Sequence, residues 1–203
     1  MHSEVRRGFA DLVASLPPPH SVIEIGQGEG HAALIDLPVL SGVGERIAVE
    51  LDAGGDMPGV TFLRRNAHDL TVLADNHFDL VLCNAMLEHD PQFRLSLSGM
   101  HRITRPGGHL VIGVPGYGDM SGPVGRWRNW LVARLTGRSR DDLAASTPTL
   151  GVHNYPSDYY RFSRAAVEEV FLAGCTERRG IAVIIPPRII GVGCKAKTAG
   201  NRP

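Results

Sequence analysis

The chain has 203 residues, of which 43% are hydrophobic and 21% charged, and its 21 basic residues balance its 21 acidic ones. This length and composition predict one globular domain over residues 1–203. The balanced charge argues against a nucleic-acid binder, which usually carries a basic excess. No apolar run approaches the roughly 20 residues of a membrane span, and no apolar segment of a signal peptide follows Met1–Arg7, so we expect a cytoplasmic protein. Three widely spaced cysteines without a CxxC pair predict neither a disulfide framework nor a metal site.

The predicted elements alternate between helices and strands. Helical periodicity covers residues 5–16, 31–37 and 92–104, whereas buried apolar runs predict strands over 21–26, 46–51, 60–64, 78–84 and 109–115. This alternation requires crossover connections and therefore a mostly parallel sheet. Residues 116–161 interrupt it with a single helix over 124–135. A helix over 165–172 and strands over 176–185 and 189–196 close the chain.

The strongest local feature is a glycine-rich loop after the first strand, Val22-Ile23-Glu24-Ile25-Gly26-Gln27-Gly28-Glu29-Gly30. Glycine permits tight turning and close backbone approach to a ligand. In open α/β sheets, that ligand lies outside the carboxyl ends of the strands. Glu50, 20 residues after Gly30 at the end of the second strand, can accept hydrogen bonds from both ribose hydroxyls. Asp52 is the alternative carboxylate, and the spacing suits a nicotinamide dinucleotide and S-adenosylmethionine (SAM) equally.

Three later segments extend this pattern in order. They are Arg65-Asn66-Ala67-His68-Asp69-Leu70, the run from Phe78-Asp79-Leu80-Val81 to Glu88-His89, and Arg102-Ile103-Thr104-Arg105-Pro106-Gly107-Gly108. Together with the glycine loop they resemble the class I SAM-dependent methyltransferases of the small-molecule type, over residues 22–115. The resemblance implies a Rossmann-like sheet of seven strands in the order 3-2-1-4-5-7-6, the last antiparallel, flanked by helices. It also implies SAM as cofactor and S-adenosylhomocysteine as product.

The resemblance assigns cofactor contacts along the carboxyl edge of this sheet. The methionine part of SAM would lie on the glycine loop, formed by Glu24, Gly26, Gln27, Gly28 and Gly30. Glu50 would bind the ribose, with Leu51 beside it, and Asn66 and Ala67 would face the adenine. Asn84 and Ala85 would line the methionine side after the fourth strand.

Two regions are candidates for contacts with the methyl acceptor. His89 follows the fourth strand and could act as a base or pack against SAM. The second region runs from His153 to Ser163, in which His153 is a candidate base and Tyr155 a pocket residue. Candidate substrate contacts are Trp127, Tyr159 and Arg161, the last through a bidentate contact to an anion. The alternatives are lid or core packing for Trp127 and a simple ion pair between Asp158 and Arg161.

These observations predict a methyltransferase acting on a small molecule, at oxygen, in specialised or surface-sugar metabolism. Because residues 116–161 form a short insertion, they can cap a small pocket but offer little surface to a macromolecule. We therefore expect a small-molecule substrate, with no nucleic acid, membrane or metal involved. Three alternatives stay open: an RNA or protein methyltransferase, a SAM-binding regulatory domain without catalysis, and a nicotinamide-dependent dehydrogenase.

Overall fold

A seven-stranded sheet with the order β3-β2-β1-β4-β5-β7-β6 organises the protein. The structure, a computed structural model, describes residues 3–26, 33–51, 56–117, 123–137, 158–183 and 187–197. The strands are β1 Ser21–Ile25, β2 Glu45–Glu50, β3 Thr61–Arg64, β4 Phe78–Asn84, β5 Thr104–Pro115, β6 Cys175–Val183 and β7 Arg188–Lys195. Strands β1 to β5 pair in parallel, and β7 runs antiparallel to both β5 and β6. The predicted strand order and the antiparallel last strand are therefore confirmed.

Two helices, α1 Ser3–Ala14 and α2 Phe93–Ile103, cover opposite faces of the sheet. A third helix, α3, spans Pro123–Thr136, and a π-helical segment spans Ala166–Phe171. Neighbouring residues of β4 point to opposite faces, so Leu80 and Leu82 pack with α1, whereas Val81 and Cys83 pack with α2. Apolar side chains thus fill both layers. Within the described part of the chain, no helix is long and apolar enough to cross a membrane.

The segment after the glycine loop departs from the prediction. Residues 33–37 form turns rather than a helix, and a single 3-10 turn follows at Pro38–Leu40. Leu37 adopts an extended backbone, as the residue before a proline usually does. Arg6 of α1 donates to the carbonyls of Ala33 and Asp36 at 2.6 and 3.1 Å. The prediction of a helix over 31–37 is therefore wrong for its described residues.

The fifth strand also begins earlier than predicted, at Thr104 instead of His109. The Pro106-Gly107-Gly108 segment ends α2 as expected but then forms part of β5. Its pairing with β4 shifts in register between Phe78 and Leu80, and Gly107 takes a φ of +80°. The irregular backbone allows the strand to include a proline and two glycines.

Candidate functional site

The carboxyl ends of β1 and β4 meet at Gly26. Its N–H donates to the carbonyl of Val49 at 2.9 Å, and its φ of +77° lies in the region that favours glycine. A Cβ at this position would lie 2.4 Å from Cγ of Met86, in the turn after β4. Glycine is thus required here both by the backbone angle and by the close neighbour. The predicted cofactor residues Gln27, Gly28 and Gly30 lie outside the described residues.

Glu24 is a buried carboxylate in the middle of the sheet, with 3% of its surface exposed. Its two oxygens accept the backbone N–H groups of Leu34 and Ile35 at 3.1 and 2.9 Å. Burial raises the pKa of Glu24 to about 7, in spite of those two hydrogen bonds. The side chain therefore holds the segment after the glycine loop against β1, and this is an anchoring contact that the sequence did not predict.

Glu50 ends β2 and is also buried, with 6% of its surface exposed. It lies close enough to Glu24 for its charge to contribute to the raised pKa of that carboxyl. The following residue, Leu51, is 64% exposed. Two buried carboxylates at the ends of adjacent strands make this part of the edge favourable for a cation and for hydroxyl donors.

Asn66 and Ala67 lie in the turn after β3, at the same edge. Asn66 is exposed, and its Oδ1 accepts the backbone N–H of His68 at 2.9 Å. Ala67 is half-buried and packs against the core. The imidazole of His68 lies 2.7 Å from the Asp90 carboxylate, so this turn is joined to the segment that precedes α2.

Asn84 ends β4 and presents a buried acceptor at the site. Among the described residues, its Oδ1 has no hydrogen-bond partner although it is buried. Ala85 turns the chain with a φ of +55°, and its N–H donates to Gly113 of β5 at 2.9 Å. A Cβ at Gly113 would lie 2.6 Å from both the Asn84 Oδ1 and the ring of Phe9 in α1. The amide is thus packed between α1 and β5, and its buried oxygen is an acceptor that the described residues leave unsatisfied.

Glu88 and Arg188 form a buried ion pair beyond the end of β4. The Arg188 guanidinium lies 3.2 Å from Oε1 of Glu88, whose side chain is fully buried. Burial raises the pKa of Glu88, and the positive charge of Arg188 opposes that rise. The candidate base His89 is next in the chain, 16% exposed, with Nε2 4.0 Å from Glu88 Oε1. Glu88 is thus a structural carboxylate beside the predicted base.

Glu88 also holds the segment that contains Tyr159 and Arg161. Its backbone carbonyl accepts the N–H groups of Tyr159 and Tyr160 at 2.9 and 3.3 Å. Arg161 makes a bidentate contact with Asp158, one arm of which measures 2.6 Å. The ion pair considered from the sequence is therefore present, and it occupies the Nη1–Nη2 edge of the guanidinium.

The remaining acceptor candidates are only partly described. Trp127 of α3 is 62% exposed and Tyr159 is 55% exposed, so Trp127 is not packed in the core. His153 and Tyr155 lie outside the described residues. The sequence did not single out His68, Asp90 or Arg188. Before the structure, only the ionisable character of these side chains pointed to a role, because the residues come together only in the folded chain.

The family model described as a methyltransferase domain matches residues 39–112. A solved structure with the same fold is a chain of the complex between the Haloferax volcanii Trm112 methyltransferase activator and a methyltransferase. It aligns with a TM-score of 0.59 and 18% identity, over 96% of this chain and 95% of that one. No curated protein matches the chain significantly.

Two further solved structures share the fold. Burkholderia thailandensis 1,6-didemethyltoxoflavin-N1-methyltransferase, with bound 1,6-didemethyltoxoflavin and S-adenosylhomocysteine, aligns with a TM-score of 0.59 and 18% identity, over 95% of this chain and 78% of that one. A SAM-dependent methyltransferase from Thermotoga maritima aligns with a TM-score of 0.56 and 19% identity, over 94% and 89% of the two chains.

Proposed function

We propose that this chain, a class I SAM-dependent methyltransferase by its family match and its strand order, methylates a small molecule at an oxygen atom, in specialised or surface-sugar metabolism. The methyltransferase-domain match over residues 39–112 and the strand order support the predicted family and SAM as its cofactor. The acceptor, the acceptor atom and the residues that bind each partner are the proposal.

The observation that carries the proposal is the pair of buried carboxylates, Glu24 and Glu50, at the same sheet edge as the amide oxygen of Asn84, which has no hydrogen-bond partner among the described residues. Negative charge and a free acceptor favour a ligand with a positive sulfonium, an ammonium group and ribose hydroxyls. A dinucleotide pyrophosphate would meet repulsion at the same place. This argument favours SAM over a nicotinamide cofactor on electrostatic grounds.

The cofactor contacts follow from these positions. We propose that Glu50, next to Leu51, binds the ribose hydroxyls and that Asn66 and Ala67 face the adenine. Asn84 and Ala85 would line the methionine end, with Glu24 and Gly26 supporting it from β1. Bound SAM supplies a methyl group on a positively charged sulfur, so the leaving group is already activated.

The acceptor would lie on the side of the site where His89 is placed. We propose that residues 116–161 cap this side, that Trp127, Tyr159 and Arg161 contact the acceptor, and that His153 and Tyr155 complete the pocket. For a hydroxyl acceptor, His89 or His153 would take the proton as the methyl group is transferred. The exposed rings of Trp127 and Tyr159 support this arrangement because they offer apolar surface to a small molecule.

Calorimetric titration with SAM and, separately, with NADH tests the cofactor side. We expect saturable SAM binding and no NADH binding, and the reverse result would favour a dehydrogenase. A screen with methyl-labelled SAM against hydroxylated small molecules and sugars then tests the acceptor. Mass spectrometry and NMR of the product would distinguish O-methylation from N-methylation, and exclusive transfer to nitrogen would refute the oxygen assignment.

A further inference from the structure

His68 connects two segments that are distant in sequence and lie at the carboxyl edge of the sheet, where the cofactor contacts are proposed (the cofactor edge). Its Nε2 lies 2.7 Å from Oδ1 of Asp90, and its own backbone N–H donates to Oδ1 of Asn66 at 2.9 Å. The side chain is 26% exposed, whereas that of Asp90 is 8% exposed. One residue therefore holds the turn after β3 through its backbone and joins that turn to a buried carboxylate through its ring.

Asp90 is a fixed partner for this histidine. Its Oδ1 also accepts the backbone N–H of Gln92 at 2.8 Å, and its Oδ2 accepts the hydroxyl of Ser96 at 2.7 Å. Both contacts belong to the start of α2, which packs in the core through Leu97 and Met100. The position of the imidazole is consequently set by the helix rather than by its own exposed turn.

Asn66 depends on this arrangement for its orientation. With Oδ1 bound to the N–H of His68, rotation of the Asn66 side chain would break a hydrogen bond. The amide is exposed, so it has little packing to hold it otherwise. The link from α2 through Asp90 and His68 therefore fixes an amide that faces the cofactor edge.

We propose that His68 is a positioning residue for the adenine end of the cofactor. It holds Asn66, which would accept a hydrogen bond from the 6-amino group of adenine, and Ala67 beside it, and it does so through Asp90. This inference rests on the proposed cofactor contacts of Asn66 and Ala67. It differs from a purely structural role because it predicts an effect confined to one end of the ligand.

The test combines protein variants with two ligands. S-adenosylhomocysteine and S-inosylhomocysteine differ at position 6 of the purine, where the second has a carbonyl in place of the amino group. We expect His68→Ala to raise the Kd for S-adenosylhomocysteine about tenfold, because it frees a hydrogen-bonded turn. The Kd for S-inosylhomocysteine should change less than about threefold, since the missing donor already forfeits the contact.

A matched control exists at the opposite edge of the sheet. His77 lies 2.8 Å from the Glu45 carboxylate, between the amino ends of β4 and β2. His77→Ala removes a histidine–carboxylate contact of similar length, 2.8 Å against 2.7 Å, and we expect it to leave both Kd values unchanged. His68→Gln keeps an N–H donor for Asp90 and should restore most of the affinity. If thermal unfolding shows that His68→Ala does not fold, His68→Gln takes its place in the comparison.

The possible results distinguish a failure of the positioning role of His68 from a failure of the proposed function. A selective loss of S-adenosylhomocysteine affinity, rescued by glutamine, supports the positioning role. An unchanged Kd in His68→Ala, or equal losses for both ligands, would overturn it while leaving the proposed function intact. If the wild-type protein bound neither ligand, the proposed function itself would fail and this inference with it.

Discussion

Titration of Glu24 should make the protein less stable as the pH rises towards neutrality. Burial raises the pKa of Glu24 from its ordinary 4.5 to about 7. Between these two values the unfolded chain has lost the proton while the folded one keeps it, so each pH unit costs about 1.4 kcal/mol of unfolding free energy. The stability is fully present below pH 4.5, and about 3 kcal/mol of it is lost once the pH has passed the folded pKa.

Urea unfolding at several pH values between about 5 and 8 measures this slope. Glu24→Gln removes the titrating group, so the unfolding free energy of the wild type minus that of the variant should fall by roughly 2–3 kcal/mol as the pH rises from about 5 to 8. Asp69→Asn is a suitable control, because Asp69 is exposed and its hydrogen bonds with Thr71 lower its pKa. That variant should keep the wild-type slope. A difference between wild type and Glu24→Gln that stays constant with pH would refute the account.

Three further predictions concern the same edge of the sheet. Binding of SAM at pH 7 should release up to about half a proton from Glu24, because a nearby cation favours its ionised form. The buffer takes up this proton, so equal binding enthalpies in Tris and in phosphate would contradict the release. Arg188→Met should lower the free energy of unfolding by about 3–5 kcal/mol near pH 8, since it leaves Glu88 buried without its cation. This loss should shrink as Glu88 is protonated at lower pH. A loss that urea unfolding shows to be independent of pH would contradict the role of the ion pair. Glu50→Ala should raise the Kd for SAM on the order of 100-fold through two lost hydrogen bonds to a charged acceptor, and unaltered calorimetric affinity in a folded variant would rule out the ribose contact.

The central parallel strands β1 and β4 could be predicted because each is a mostly apolar run that the sheet buries on both faces. The bounds of β4, Phe78–Asn84, match the predicted ones, and the six residues from Phe78 to Cys83 are all buried. The strand order was implied by the resemblance, and pairing confirms it. The segment at 33–37 was mispredicted because its helical periodicity was outweighed by Pro38 and by backbone donors already bound to Glu24.

The contacts that hold the site together could not be predicted from local pattern. Glu88 and Arg188 are separated by 100 residues, and His68 and Asp90 by 22. Such pairs depend on which strand lies beside which and on the register of each, neither of which periodicity contains. The types of residue in the sequence indicated which side chains could contact the cofactor. The hydrogen-bond and ion-pair partners that orient those side chains are visible only in the folded chain.

The close contact at Gly113 gives positions 9 and 113 a shared volume. A Cβ at 113 would lie 2.6 Å from both the Phe9 ring and the Asn84 oxygen, so an alanine there can be accommodated only if position 9 gives up space. Conversely, a smaller side chain at position 9 alone would leave the amide room to turn. The two positions should therefore show epistasis, in which Gly113→Ala is tolerated with Phe9→Leu but not with the native phenylalanine. Because the amide oxygen of Asn84 borders the same volume, that compensation should be visible in ligand affinity as well as in stability.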